Sequence, residues 1–395
     1  MDKKRSLTAK IAMALVLGIG MGLLLGEAAV PYVKPVGQIY LNLIKTVVVP
    51  VVTLSIVLGV VSLEDVKKVG RLGLRTVAFF LCTTAVAVTL GLLLANLLGA
   101  GSGFTSQTQN APQIGTVDFQ DTLINIFPSN ILAPFLEGNM LPVIVIALLV
   151  GFGILLAGEQ GKAVVKMVTG LNTVFLQIMD LVIRLSPIGV FALIFPVVAE
   201  QGLGVLLPLL QLILVCYAAY GIHMVVVYAG SVTVFGRISF LRFFKEMGKP
   251  ILFGFSSASS VGALPFNLEA TGRLGVSREV SGFVLPLGTT INMDGTAIYQ
   301  GVCAVFIARA FGMELTLSQQ LSVVLTSVLA SIGTAGAPGS GMIMLAMVLQ
   351  SAGLPVEGIA LVAGVDRILD MGRTVVNITG DAACSIVVQA GLKRQ

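Results

Sequence analysis

The chain has 395 residues, of which 56% are hydrophobic and 11% charged, and its mean hydropathy is +0.99. A soluble protein needs far more charge to cover its surface, so this composition excludes a soluble globular domain and predicts an all-α polytopic membrane protein. The net charge of +5 does not indicate a nucleic-acid partner, because the basic residues are spread over alternate loops.

Long apolar stretches follow one another along the chain. A bilayer core about 30 Å thick requires about 20 mostly apolar residues per helix. Stretches of about this length or longer are 11–30, 41–63, 77–98, 141–157, 174–198, 205–234 and 280–311. The first also has the pattern of a cleavable signal peptide, but it is long and no small-residue cleavage site follows it. We therefore expect it to be a membrane span.

Lysine and arginine mark every second loop. Basic clusters precede the first span, separate the second from the third, follow the fourth and the sixth, and end the chain. The intervening segments 99–120 and 199–204 contain neither residue. By the positive-inside rule, both termini lie in the cytoplasm and the number of full spans is even. We expect the protein to lie in the plasma (inner) membrane of a prokaryote.

Two segments of the second half are apolar at both ends and interrupted in the middle. The segment 251–267 is broken by Phe-Ser-Ser-Ala-Ser-Ser, and the segment 321–349 by a run of Gly, Ser, Ala, Thr and Pro. Non-helical backbone at membrane depth is tolerated only where protein buries it or where it lines a wet cavity. The sequence therefore predicts two re-entrant helical hairpins, at about 242–276 and 318–353, beside a transport site.

Each predicted hairpin is followed by a helix that carries charged residues. Asp294 lies in the first of these helices, and Asp370 and Arg373 lie in the second. The hairpin breaks and the charged motifs are both offset by about 75 to 80 residues, which predicts an inverted internal repeat of hairpin plus helix. Flexible loops between ordinary helices would not explain the charges.

The last predicted span, about 357–392, has the densest set of polar side chains. Steps of three and four residues place six of them on one helical face: Asp366, Asp370, Arg373, Thr374, Asn377 and Asp381. Three carboxylates and a guanidinium facing lipid would cost on the order of 10 kcal/mol, so this face must line a protected or hydrated interior. A structural ion network would also satisfy it. The excess of negative charge favours a transport pathway, because mobile cations can balance it.

These side chains match an amino acid with a second carboxylate. Asp370 can pair with an ammonium group, Asn377 can donate to an α-carboxylate, and the planar guanidinium of Arg373 suits a side-chain carboxylate. Half-helix N-termini at the hairpin tips would add backbone N–H groups, which favour anions. We therefore expect L-aspartate or L-glutamate as the substrate.

Hard cations such as Na⁺ prefer oxygen ligands, and the chain offers three candidate sets. The first combines Asp381 with carbonyls near Gly288, Asn292 and Asn377; the second combines Asp294 and Asn292 with Thr83 and Thr84; the third uses backbone carbonyls around Ser331, Ile332 and Thr334. A single serine or threonine is more often a helix-packing residue, so the buried aspartates support these sites. No nucleophile–base pair appears, and we expect neither an enzyme nor a cofactor besides the coupling ion.

Three motifs together carry a family resemblance. They are Asn-Met-Asp-Gly-Thr at 292–296, Ser-Ile-Gly-Thr-Ala-Gly at 331–336, and the polar face at 366–381. They resemble the dicarboxylate/amino acid:cation symporter family, of the prokaryotic glutamate/aspartate type, and the resemblance covers essentially the whole chain. It implies eight transmembrane helices, two re-entrant hairpins, and a homotrimer in which a transport domain moves like an elevator against a fixed scaffold.

The resemblance also implies a division into domains. Residues 1–72 and 121–200 would form the scaffold and trimerisation domain, and residues 73–120 the third helix and an external loop. Residues 201–395 would form the transport domain, to which the third helix at about 73–98 also belongs.

Carried over by position, the resemblance implies roles for individual residues. Asp370 would bind the amino group of the substrate, and Arg373 its side-chain carboxylate. The rest of the implied substrate set is Ser259, Ser260, Thr296, Gly336, Ala337, Thr374 and Asn377. The three cation sets would coincide with the family's cation positions, with Thr290 joining the second and the Phe80 carbonyl the third.

Departures from the family pattern favour sodium over protons as the coupling ion. Val261 stands where proton-coupled bacterial glutamate carriers tend to have glutamate, and Asp381 where they tend to have asparagine. Gln300 replaces the glutamate of potassium-countertransporting members, so no potassium antiport is expected. Phe80 replaces a tyrosine of archaeal members, a harmless change if only the backbone carbonyl binds the ion.

Alternatives remain open at this point. A proton-coupled glutamate carrier, a C4-dicarboxylate carrier and a neutral amino acid carrier are possible within the family. The C4-dicarboxylate reading would leave Asp370 without a role, and the neutral reading is opposed by Arg373. A channel lined by the same face is the alternative from another class.

The cysteines and the single histidine lie in apolar segments. We expect Cys82, Cys216, Cys303 and Cys384 to be buried packing residues, since their spacing is not that of a metal site. His223 is expected to be a packed or lipid-interface residue, with a proton relay as the alternative reading.

Overall fold

The computed structural model describes residues 7–102, 124, 127–137, 140–332 and 340–393, and every regular element in these ranges is helical. The α-helices are α1 (Leu7–Leu25), α2 (Val30–Val69), α3 (Arg71–Leu97), α4 (Ala133–Glu137), α5 (Met140–Ala157), α6 (Lys162–Arg184), α7 (Ser186–Gln201), α8 (Leu206–Ile222), α9 (Gly230–Val234), α10 (Phe240–Ser257), α11 (Ser260–Arg273), α12 (Arg278–Ile291), α13 (Asp294–Ala310), α14 (Leu317–Ser331), α15 (Ser340–Ser351), α16 (Ile359–Ala363) and α17 (Asp366–Lys393). A π-helical segment, His223–Ala229, joins α8 to α9.

Helices α1, α2 and α5–α7 form one packing group. α1 lies along α7, and α2 packs against α5, α6 and α7. The α1–α7 contact is close because α1 presents glycine: a Cβ at Gly22 would stand 2.9 Å from the carbonyl oxygen of Phe195. Gly26, at φ 59°, ends α1, and the chain turns by 110° toward α2. The first predicted span therefore ends before its expected limit.

Helix α3 and helices α8–α17 form a second group. Its centre is α13, which packs against α3, α8, α14, α15 and α17 and is buried along nearly its whole length. Glycines on both partners bring α3 and α13 together, since a Cβ at Gly91 would lie 2.7 Å from the Ile298 carbonyl oxygen and one at Gly301 would lie 3.0 Å from that of Val88. The candidate site is built around this central helix.

The two interrupted segments fold as helix–break–helix units. In the first, α10 ends at Ser257, Ala258 adopts a φ of 52°, and the Ser259 hydroxyl caps α11 by accepting the Gly262 N–H at 3.1 Å. In the second, α14 packs against α15, and the connecting residues 333–339 lie outside the described ranges. The four helices have 18, 14, 15 and 12 residues, fewer than the ~20 needed to cross a bilayer. Their re-entrant placement in the membrane remains a prediction.

Two stretches expected to be continuous spans are divided. The stretch 280–311 forms α12 and α13, separated by the non-helical residues Asn292 and Met293. The stretch 174–198 is divided between α6 and α7 at Leu185. In the described ranges, four helical stretches are long and apolar enough to cross a membrane, or five if the bent pair α1–α2 counts as one: Arg71–Leu97, Pro142–Arg184, Leu206–Val234 and Asp366–Leu392. The eight-span layout therefore remains a prediction that counts broken and shorter helices as spans.

One of the four cysteines differs from expectation. Cys216, Cys303 and Cys384 are buried, but Cys82 is exposed. It lies on the outer surface of α3 together with Val86 and Leu93, which are also exposed. An apolar outer face of a membrane protein contacts lipid, so a small thiol is tolerated there without being packed inside the bundle.

Candidate functional site

The candidate site lies where α17 crosses the break between α12 and α13. α17 packs against α3, α10, α11, α12 and α13. All six polar residues predicted to share one face of this helix are buried, with exposed fractions of 5% or less: Asp366, Asp370, Arg373, Thr374, Asn377 and Asp381. These helices, together with α8, α9 and the π-helical segment, shield a strongly charged helix from its surroundings.

Arg373 is held by two carboxylates and an aromatic ring. One guanidinium nitrogen lies 3.0 Å from an Asp366 oxygen, and another lies 2.7 Å from an Asp370 oxygen. The guanidinium carbon stands 4.2 Å from the centre of the Tyr299 ring, within the range of a cation–π interaction. The other neighbour is the backbone of Gly341 at the start of α15, where any Cβ would overlap the guanidinium. The arginine is thus enclosed between α13, α15 and α17.

Arg367 completes the local charge balance. It lies 3.5 Å from the second Asp370 oxygen, and it also donates to the Ser257 carbonyl at the tip of the first hairpin, at 3.4 Å. Around Asp366 and Asp370 the structure therefore places two guanidinium groups, and this part of the site is neutral. The excess negative charge noted in the sequence lies elsewhere, at Asp294 and Asp381.

The first hairpin contacts the same helix. Asn267 on α11 donates to the Ile378 carbonyl at 2.9 Å, and a Cβ at Gly254 on α10 would lie 3.6 Å from the Thr374 methyl group. Ser259 and Ser260 begin α11, whose first N–H groups form the positive end of a helix. Both helices of the first hairpin therefore pack against α17.

Asn377 joins the start of α13 to α17. Its side-chain oxygen accepts the Gly295 N–H at 2.8 Å, and a Cβ at Gly295 would overlap the backbone of Arg373. Thr296, the next residue of α13, is buried there, whereas the Thr374 hydroxyl donates to the Asp370 carbonyl at 3.0 Å. These contacts bring Thr296 on α13 beside the α17 members of the predicted substrate set, whereas Ser259 and Ser260 lie at the start of α11.

Asp381 lies at the centre of the first predicted cation set. One of its oxygens accepts a hydrogen bond from the Asn292 amide at 2.9 Å, and the same amide donates to the Asn377 carbonyl at 2.9 Å. Gly288 lies against Asp381, since a Cβ there would overlap the carboxylate. The second Asp381 oxygen and the Asn292 side-chain oxygen are buried with no hydrogen-bond partner among the described residues. Two buried oxygens of this set are thus available as ligands.

Asp294 lies at the centre of the second predicted cation set. One of its oxygens accepts the Thr84 hydroxyl at 2.6 Å, and the Phe80 carbonyl lies 2.8 Å from the same hydroxyl and 3.1 Å from that of Thr83. The sequence predicted Asp294, Thr83 and Thr84 together from their residue types, whereas the Phe80 carbonyl was expected in the third set and lies here instead. The structure adds two partners on the other oxygen, Tyr228 at 2.7 Å and His223 at 3.1 Å.

Other predicted ligands are not brought into these contacts. The Thr290 hydroxyl donates to the Leu287 carbonyl within its own helix, at 2.9 Å. Ser331, at the end of α14, likewise donates to the Val328 carbonyl, and Ile332 ends that helix. Thr334, Gly336 and Ala337 lie outside the described residues. The third cation set and this part of the substrate set therefore remain predictions.

Sequence reasoning missed the partners supplied by other helices. Tyr299 was not singled out, although it lies one helical turn after Gly295, on the same helix as Asp294. The lipid-interface reading of His223 is wrong, because its side chain is fully buried against Asp294. Tyr228 had no distinguishing signal, since its role depends on a local change of helix geometry.

Comparison with known proteins identifies the family of the chain. The model of the sodium:dicarboxylate symporter family matches residues 7–390. The chain is 36% identical to the proton/sodium-glutamate symport protein of Bacillus subtilis (strain 168), over 98% of this chain and 92% of the relative. It is 34% identical to the proton/glutamate-aspartate symporter of Escherichia coli (strain K12), over 98% and 92%. It is 32% identical to the C4-dicarboxylate transport protein of Bacillus subtilis (strain 168), over 97% and 93%. The chain belongs to the sodium:dicarboxylate symporter family, a family of membrane transporters.

Proposed function

We propose that this protein is a sodium-coupled secondary active symporter of acidic amino acids, L-aspartate or L-glutamate. The observation that carries the proposal is the pair of buried carboxylates Asp294 and Asp381, neither of which is bonded to a lysine or arginine within the described ranges. An ionised carboxylate held away from water without a counter-charge costs several kcal/mol. A sodium ion bound at each carboxylate would offset this cost.

The substrate would exchange partners with an existing ion pair. Arg373 and Asp370 are bonded to each other at 2.7 Å, and an acidic amino acid carries groups complementary to both. Its ammonium group would take the place of the guanidinium at Asp370, and its side-chain carboxylate would take the place of Asp370 at Arg373. Asp366 keeps the guanidinium oriented during the exchange, at 3.0 Å. Neither charge is left unpaired before or after binding.

Sodium and substrate would be coupled through Asn377. Its backbone carbonyl accepts from Asn292, a residue of the Asp381 set, and its side chain contacts Gly295 beside Arg373. An ion at Asp381 that also engages the free Asn292 oxygen would fix Asn292 and hence the orientation of Asn377. Coupling between two sites requires such a shared element, whose arrangement both ligands bias.

Alternating access would follow an elevator mechanism in a homotrimer. The two packing groups correspond to the parts that this mechanism requires: α1, α2 and α5–α7 as the scaffold, and α3 with α8–α17 as the moving domain. Along α6 and at the Leu185 that follows it, exposed apolar residues recur at alternating steps of three and four: Val164, Met167, Leu171, Val174, Ile178, Leu181 and Leu185. That spacing is typical of a helix packed against a neighbouring helix, here from another copy of the chain.

Transport of C4-dicarboxylates is the second candidate, because a relative with that name is 32% identical over nearly the whole chain. Such substrates have two carboxylates and no ammonium group. If such a substrate took Arg373, Asp370 would keep only the longer ion pair with Arg367, at 3.5 Å. We favour the amino acid because its ammonium group can replace the Arg373 guanidinium at Asp370, which a C4-dicarboxylate cannot do.

Purified protein in liposomes tests the proposal, with sodium and proton gradients imposed separately. We expect saturable uptake of aspartate or glutamate that requires an inward sodium gradient and is electrogenic. Uptake driven equally well by a proton gradient without sodium would contradict sodium coupling. Flux that does not saturate with substrate would indicate a channel.

A further inference from the structure

We propose that His223 and Tyr228 are positioning residues that hold one oxygen of Asp294 and so reserve its other oxygen for the coupling ion. The inference rests on the proposed function, in which Asp294 binds sodium. It assigns a function in ion affinity to two residues that contact neither the predicted substrate set nor, directly, the proposed ion position.

The contacts divide the carboxylate of Asp294 into two unlike halves. Oδ2 accepts the Tyr228 hydroxyl at 2.7 Å and lies 3.1 Å from His223 Nε2. Oδ1 lies 2.6 Å from the Thr84 hydroxyl, which is also 2.8 Å from the Phe80 carbonyl. A hydroxyl has one hydrogen and can serve only one of these two acceptors. The Oδ1 half is therefore where acceptor oxygens outnumber donors, which is the environment that a small cation requires.

Burial makes the Oδ2 contacts strong and specific. The side chains of His223 and Asp294 are both fully buried, as is Tyr228. A carboxylate oxygen accepts, so His223 Nε2 carries the hydrogen in this contact. The His223 ring also packs edge-on against the Tyr228 ring, with centroids 4.7 Å apart, which fixes both donors in place. Two donors on one oxygen fix the carboxylate plane.

The π-helical segment explains how one helix supplies both donors. His223 and Tyr228 are five residues apart, and in an α-helix of 3.6 residues per turn such residues point about 140° away from each other. The segment His223–Ala229 is wound more widely, with i→i+5 bonding, so residues five apart lie on the same side. Single π turns inside α-helices occur frequently at functional sites. The π-helical geometry thus allows His223 and Tyr228 to reach the same buried carboxylate.

Tyr228 also lies close to the cation set around Asp381. Gly380 on α17 lets the neighbours approach, since a Cβ there would lie 2.5 Å from both the Tyr228 hydroxyl and the Asn292 amide nitrogen. Tyr228 therefore stands between Asp294 and the Asn292–Asp381 pair. Groups that orient a metal ligand in this way typically change metal affinity by about tenfold or more when they are removed.

The experiment measures sodium dependence and substrate affinity separately in liposomes, with His223→Leu, His223→Gln and Tyr228→Phe. We expect His223→Leu and Tyr228→Phe to raise the sodium concentration for half-maximal uptake about tenfold, with substrate KM at saturating sodium changed less than about twofold. His223→Gln keeps a donor and should restore the wild-type sodium dependence to within about threefold. Tyr40→Phe is the matched control, because Tyr40 is buried in the other packing group and loses a single hydroxyl contact, with Ser186 at 2.9 Å.

An unchanged sodium dependence in both His223→Leu and Tyr228→Phe would overturn the inference. So would an equal loss of sodium and substrate affinity in the two variants, since that is the result of general misfolding. If His223→Leu does not fold, the result for Tyr228→Phe alone tests the inference, because that substitution removes one oxygen atom and keeps the ring. Asp294→Asn separates this inference from the proposed function: if that variant keeps the wild-type sodium dependence, Asp294 is not an ion site at all. If Asp294→Asn abolishes sodium dependence while the other variants behave as wild type, only the positioning role fails.

Discussion

Arg373 and Asp370 lie three residues apart on one helix and form a buried ion pair of 2.7 Å. An isolated charge at either position would carry a desolvation cost of several kcal/mol, and the pair removes most of it. Asp366 and Arg367 remain as second partners of the two residues, and a substrate that separates the pair binds best when it offers a charge to each. A zwitterion with an additional carboxylate meets this condition, whereas a neutral amino acid or an unpaired anion does not.

Replacement of Arg373 should convert the specificity of the site. In Arg373→Cys, uptake of aspartate should fall about 100-fold, because a hydrogen-bonded charge pair contributes about 3 kcal/mol. Small neutral amino acids should be admitted, since their side chains require no counter-charge. Competition of serine, alanine and aspartate for uptake in liposomes measures the change.

A chemical rescue provides the control for Arg373→Cys. Reaction of the introduced thiol with an aminoethyl methanethiosulfonate returns a positive charge, and it should restore part of the acidic uptake. The exposed Cys82 is first replaced by serine, so that it does not react. Wild-type glutamate uptake in Arg373→Cys would contradict the assigned role.

Competition for uptake in wild-type protein and in Asp370→Asn distinguishes an amino acid substrate from a C4-dicarboxylate. In wild-type protein, succinate should compete with aspartate at least about 100-fold more weakly than glutamate does, because it has no ammonium group for Asp370. Asp370→Asn should weaken aspartate uptake and reduce the difference between glutamate and succinate as competitors. Arg373 should stay in place in this variant, because Asp366 still pairs with it at 3.0 Å. Strong succinate uptake by the wild type, retained in Asp370→Asn, would instead support the second candidate function.

The sequence was informative where a single element carried the signal. The polar face of α17 follows from spacing and from the cost of charge in lipid, and the six residues are indeed buried together. The broken character of the first hairpin likewise follows from its Ser-rich interruption, and the structure places the break at Ala258 and Ser259. Local composition and helical periodicity suffice for features of this kind.

The sequence was uninformative where several helices converge. Nothing in the spacing of His223 or Tyr299 shows which helix each of them faces, because that depends on tertiary packing. The break at Asn292 and Met293 was also not foreseen as an interruption, since neither residue is a strong helix breaker. There the Asn292 amide bonds to Asn377 and Asp381, and these contacts outweigh the local preference for helix.

Replacement of Asp381 should lower the affinity for sodium more than the affinity for substrate. Asp381→Asn keeps the shape of the side chain and removes its negative charge, so the sodium concentration for half-maximal uptake should rise about tenfold, a loss of about 1.4 kcal/mol. Substrate KM at saturating sodium should change much less, because Asp381 contacts Asn292 and not the Arg373 cluster. Equal losses of both affinities would count against the assignment.

Gly341 should be intolerant of any side chain. A Cβ there would overlap the Arg373 guanidinium, so Gly341→Ala should displace the arginine and raise the substrate KM at least about tenfold, with a smaller effect on sodium dependence. Gly272→Ala is the matched control, because a Cβ at Gly272 meets no atom within 4 Å. Uptake by Gly341→Ala indistinguishable from that by Gly272→Ala would show that Arg373 does not need its observed position.

The apolar stripe on α6 should lie between copies of the chain. Cysteine introduced at Leu171 or Ile178, after replacement of the four native cysteines, should form disulfide-linked dimers under oxidation in membranes, because the spacing of the stripe predicts helix-to-helix contact. Leu74→Cys is the control, since Leu74 is equally apolar and 70% exposed but lies on α3 in the proposed moving domain. Cross-linking is read on denaturing gels, with the mass of the unmodified assembly measured by light scattering. If light scattering gives the mass of a trimer but neither cysteine forms cross-links, the interface lies on another face of the protein. Cysteines that face lipid would leave the chain monomeric on the gel.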